Sequence, residues 1–90
     1  MSDLIHRIRV SNDRDRFITV WLEPWGEDYG MSPGDEFEVI ADGVGEDFYF
    51  HVICEEKGMK IYAEGEAARV GVFQGTELLS CGHERREGEW

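Results

Sequence analysis

Ninety residues, a formal net charge of -11 and 41% hydrophobic content bound this chain to one small domain with enough apolar side chain for a core. That composition argues against wholesale disorder, and the excess of carboxylates repels polyanions, so neither direct nucleic-acid binding nor an anionic membrane surface is expected. Asp3, His6, Arg7 and Arg9 interrupt any leader-like apolar run and no stretch is long enough to span a bilayer; a cytoplasmic protein with two reduced thiols, Cys54 and Cys81, is the expectation.

Along the chain the dominant period is two. Residues 4–10 predict a first strand, and Asn12-Asp13-Arg14-Asp15 a hairpin loop after it. Ile18, Val20 and Leu22 then alternate with Thr19, Trp21 and Glu23, which predicts a strand with one apolar face. The eleven residues from Pro24 to Gly34 read as a long loop that caps one end of the domain, with Trp25 tucked into the core. Its end, Ser32-Pro33-Gly34-Asp35, has the chemistry of a type II turn. Phe37, Val39 and Ala41 alternate with Glu36, Glu38 and Ile40, and Asp42-Gly43 fits a hairpin connection. Phe48, Phe50, Val52 and Cys54 alternate with Tyr49, His51 and Ile53, and Glu56-Lys57-Gly58 predicts another turn. Met59, Ile61 and Ala63 alternate with Lys60 and Tyr62; Val70 and Val72 follow, then Gln74-Gly75-Thr76 and a short strand at 78–81. No segment has helical periodicity over ten residues. The chain is therefore expected to be all-β: a single antiparallel β-sandwich of six to seven short strands over residues 1–82, or else a small barrel, with a polar tail at 83–90.

Charge is distributed unevenly. Residues 17–56 hold eleven acids and no Lys or Arg, while basic residues occupy the flanks on either side. Glu36 and Glu38 share a strand face about 6.8 Å apart, with Asp42 continuing the row. With Glu23, Glu27 and Asp28 just upstream, these predict a field of carboxylates, and Trp21, Trp25 and Tyr29 supply aromatic anchors beside it. The run Leu22-Glu23-Pro24-Trp25-Gly26-Glu27, followed by Met31-Ser32-Pro33-Gly34 and later by Ile61-Tyr62-Ala63, resembles a group of small bacterial proteins that share a Leu-Glu-Pro-Trp-Gly-Glu core. The resemblance spans residues 18–73. It implies an all-β fold and a bacterial or phage origin, and brings no activity with it.

Catalytic and metal chemistry find little support. His51, Cys81 and His83 are weak candidates for a metal. His51 and Cys54, three apart on a strand, project to opposite faces, and Cys54 is expected to be buried. The Cys81–His83 pair alone is too small for a structural zinc site. No nucleophile sits in an elbow or oxyanion context, and no cofactor is expected. The expectation is a non-enzymatic module that binds a basic protein through Trp21, Glu23, Trp25, Glu27, Asp28, Tyr29, Glu36, Glu38 and Asp42. In its sharpest form it is a nucleic-acid-mimicking inhibitor of the anti-defence or immunity type. The alternatives are a small ligand- or metal-binding sandwich and a homodimeric structural accessory.

Overall fold

The alternating runs become strands in a computed structural model, which describes residues 4–80. Eight strands are present among them: β1 (Ile5–Ser11), β2 (Ile18–Glu23), β3 (Glu27–Met31), β4 (Glu36–Asp42), β5 (Tyr49–Glu55), β6 (Gly58–Glu64), β7 (Arg69–Gln74) and β8 (Glu77–Leu78). They form two four-stranded sheets, the first ordered β1-β4-β7-β8 and the second β3-β2-β6-β5. The sheets pack as a sandwich, without closing into a barrel.

Each sheet gives one face to a common core. Val10, Phe37, Val39, Ala41, Val70 and Val72 come from the first sheet, and Ile18, Val20, Leu22, Tyr29, Met31 and Ile61 from the second. Val44 and Phe48, from the connection between β4 and β5, close one end. Burial of each large aliphatic side chain contributes about 1.5–3 kcal/mol, so these positions supply most of the driving force for folding.

Three expectations are corrected. The extra strand β3 lies inside the expected long loop. Glu27, Tyr29 and Met31 alternate inward with Asp28 and Gly30, and β3 pairs with β2 in the register Leu22↔Glu27 to Ile18↔Met31. A glutamate at a core position hid this period. Next, Asn12–Asp15 and Asp42-Gly43 are not hairpins but crossings between sheets: β1 pairs with β4, and β4 in turn with β7. Finally, the sandwich is not wholly antiparallel, because β2 and β6 pair in parallel from Thr19↔Gly58 to Glu23↔Tyr62. That pairing depends on Gly58, where a Cβ would collide with the Thr19 carbonyl oxygen. The Thr19 N–H reaches across to donate to the Lys57 carbonyl at 2.9 Å. The turns expected at Ser32–Asp35, Glu56-Lys57 and Gly75-Thr76 are present: Asp35 N–H donates to Ser32 O at 3.0 Å, and Gly34 has φ 89°.

The crossing from β1 to β2 is anchored by Asn12, a residue the sequence did not single out. Only 2% exposed, its amide nitrogen donates to the carbonyls of Arg16 (2.9 Å) and Met31 (3.1 Å), and its side-chain oxygen accepts from Arg14 N–H (3.0 Å). Its backbone joins the Pro-Gly turn, donating to Asp35 O and accepting from Gly34 N–H. Buried polar atoms cost little when paired in this way, and the pairing fixes where the chain leaves one sheet for the other.

Candidate surface for protein recognition

Strand register decides which charged side chains become neighbours. On the outer face of the first sheet, β4 presents Glu36, Glu38 and Asp42 between β1 and β7. Ser11, Arg9 and Ile5 stand directly across from them on β1, and Arg69 stands across from Asp42 on β7. Arg69 donates to Asp42 Oδ2 from Nε at 3.0 Å and from Nη2 at 2.8 Å, and Arg7 Nη1 lies 3.9 Å from Glu38 Oε2. Three carboxylates therefore share a face with three guanidinium groups, those of Arg7, Arg9 and Arg69. The basic flanks of the sequence fold onto the two sides of its acidic middle.

The outer face of the second sheet differs. Reading across the ladder, Asp28, Trp21, Lys60 and Ile53 form one row, and Glu23, Tyr62 and His51 the next; Glu64 and Tyr49 follow. Trp21 and Tyr62 are half-buried among their neighbours, whereas Tyr49 and Ile53 are exposed. The His51 and Tyr62 rings lie 6.0 Å apart, and His51 Nδ1 is 3.9 Å from Glu64 Oε2. Within the described strands of this sheet Lys60 is the one Lys or Arg, against Glu23, Asp28, Glu55 and Glu64; Arg16 and Lys57 border the end of the face beside Thr19. Lys60 Nζ lies 3.3 Å from Glu55 Oε2, and the hydrogen bond and charge of Glu55 raise the lysine pKa above its ordinary value. The face is thus aromatic at its centre and acidic in formal charge.

The nine residues expected to bind a partner do not converge. Trp21, Glu23 and Asp28 share the second sheet's outer face, with Trp25, 43% exposed rather than tucked into the core, in the turn between β2 and β3. Glu36, Glu38 and Asp42 lie on the opposite side of the sandwich. Glu27 and Tyr29 point into the core, because β3 pairs them with the inward Leu22 and Val20. There the Tyr29 hydroxyl donates to Glu27 Oε1 at 2.9 Å, a buried polar pair and not a recognition surface. His51, Tyr49, Ile53 and Tyr62 complete the face around Trp21. Their outward parity is readable in the sequence, but the order β2-β6-β5 that makes them neighbours is not.

His51 and Cys54 do project to opposite faces, opposite Tyr62 and Met59 of β6 respectively. Cys54, however, is exposed rather than buried, because the first sheet does not extend over that side of β5. Cys81 and His83, like the tail from 83, lie outside the described residues. Among the described residues no three His, Cys, Asp or Glu side chains converge on a metal site, and no helix is long and apolar enough to cross a membrane. Two surface depressions, of about 210 and 320 Å³, are lined by Arg9, Glu36, Phe37, Glu38 and Gly75 and by Arg16, Phe17, Thr19, Glu56 and Lys57. Neither lining includes a His or Cys that a nucleophile–base pair could use. Comparison with protein-family models, with curated proteins and with solved structures finds no match to this chain.

Proposed function

We propose that the protein is a non-enzymatic interaction module that receives a basic protein on the outer face of its second sheet. One observation carries this reading: Trp21, Tyr62 and His51 are gathered on a sheet face whose described strands carry four acids and one lysine. Large aromatic side chains dominate the energetics of protein interfaces, and a guanidinium stacks favourably on their rings. The surrounding carboxylates steer a cationic partner and speed its association. On the first sheet the carboxylates offer less, because Arg69 binds Asp42, Arg7 lies 3.9 Å from Glu38, and Arg9 stands across from Glu38 on the same face. The sharper form of the proposal is that the partner is a nucleic-acid-binding protein whose cationic groove this face occupies.

An oligoarginine peptide carrying a fluorophore serves as the probe, with anisotropy as the readout. Trp21→Ala and the double reversal Glu23→Lys/Asp28→Lys should each weaken binding about tenfold or more, corresponding to about 1.4 kcal/mol. Glu36→Lys/Glu38→Lys on the other sheet should change it less than about threefold, and affinity should fall steeply between about 50 and 300 mM salt. Equal losses from reversals on the two sheets, or indifference to salt, would count against the reading. For any basic partner captured later, competition by duplex DNA separates the nucleic-acid-mimicking form from a general acidic docking module.

A further inference from the structure

A sandwich has four sheet edges, and three of these are blunted. β1 carries Arg7 and Arg9, β8 is two residues long, and β3 is five residues long with the Phe17 ring packed where a Cβ on Gly30 would sit. The fourth edge, β5, has none of the usual defences. It runs seven residues in unbroken register with β6, from Tyr49↔Glu64 to Glu55↔Gly58, with no bulge, proline, lysine or arginine. Tyr49 and Ile53 are exposed on one side and Val52 and Cys54 on the other. A long edge strand with exposed apolar side chains offers its unpaired N–H and C=O groups to another strand.

We propose that β5 pairs with β5 of a second copy of this chain, antiparallel and centred on Val52, joining two second sheets into one eight-stranded sheet. The strand is self-complementary in this register. Val52 meets Val52, Phe50 meets Cys54, His51 meets Ile53 and Tyr49 meets Glu55, with parity that keeps every pair on one face. No like charges stand opposite one another, and the strand's one carboxylate, Glu55, falls diagonal to His51 of the second copy. No other edge strand fits as well: β1 carries Arg7 and Arg9, which would stand against a second copy's arginines, and β3 and β8 are short. The pairing also makes the aromatic outer faces of the two copies continuous. It rests on the edge, not on the proposed partner, and stands or falls separately.

Two chains of charge -11 repel, so this dimer should tighten as salt rises, whereas binding of a basic partner should weaken. Light scattering on the full chain at about 100 µM should therefore give the dimer mass, with Val52→Lys or Ile53→Lys raising the dissociation constant about tenfold or more. These two substitutions sit on opposite faces of an exposed strand, so one remains informative if the other unfolds the protein. Register is read by Val52→Cys in a Cys54→Ser/Cys81→Ser background. Residues directly opposite in such a pair have Cα atoms about 4.5–5.5 Å apart, within disulfide reach, so the chain should cross-link to itself under mild oxidation. Tyr49→Cys, which faces Glu55 of the second copy, should not. A monomer at that concentration, or a dimer insensitive to both lysine substitutions, overturns the proposal; so does cross-linking that is no faster at Val52 than at Tyr49.

Discussion

The two outer faces of this sandwich carry comparable numbers of carboxylates in different company. On the first sheet Glu36, Glu38 and Asp42 share the face with Arg7, Arg9 and Arg69, so its formal charge is balanced, and two of the acids are ion-paired. On the second, Glu23, Asp28, Glu55 and Glu64 surround Trp21, Tyr62 and His51, and Lys60 is the one Lys or Arg within the described strands of that sheet. The difference teaches that a run of acids in sequence is not an acidic surface. The order β1-β4-β7 brings the basic flanks to the acidic strand β4, while the acids of β2, β3 and β5 lie on the other sheet.

The comparison can be broken most forcefully at the seam between the sheets. Asn12→Ala removes the donors that satisfy the Arg16 and Met31 carbonyls and should destabilise the fold by about 2–3 kcal/mol. In a domain of this size that lowers the melting temperature by roughly 10–20 °C. An unchanged melting temperature would mean that the crossing does not hold the two sheets apart. Next in size is the contrast in peptide binding between Glu23→Lys/Asp28→Lys and Glu36→Lys/Glu38→Lys, about 1.4 kcal/mol by the tenfold expectation.

A smaller effect tests whether the first face is self-sufficient. Asp42 is the more buried member of its pair, with a side chain 16% exposed against 46% for Arg69. Arg69→Ala should lower stability in urea by about 0.5–1 kcal/mol, with most of that loss screened at high salt. The smallest effect is expected at Lys60. Its raised pKa means that the Glu55 contact contributes fully below the ordinary lysine value of 10.5 and is lost as pH climbs through the higher folded value. The urea midpoint of the wild type should thus fall more steeply than that of Glu55→Gln between about pH 9 and 11.5. Parallel curves would remove Lys60 from the account of the second face.

Legibility followed the range of the interaction involved. The inward parity of Val20, Leu22, Phe37, Val39, Ile61 and Val72 is a local consequence of pleating and was plain in the sequence, as was the Pro-Gly turn. β3 is hidden because two of its inward positions are Glu27 and Tyr29, polar residues whose burial is accompanied by a hydrogen bond between them. Asn12 reads as a loop residue because its bond to Arg16 is local, while the Met31 carbonyl and the Pro-Gly turn that bury it come from a distant part of the chain. Of the nine expected contact residues, Trp21, Glu23 and Asp28 share one face, while Glu27 and Tyr29 are turned inward.

By itself, then, the sequence determined an all-β sandwich with one apolar face per strand and an excess of acid, because alternation and composition act over a few residues. The tertiary structure decided which strands lie side by side. Coulombic and aromatic contacts act across strands, between residues far apart in the chain, so only the order β1-β4-β7 could neutralise one acidic face, and only the order β3-β2-β6-β5 could leave the other aromatic and acidic.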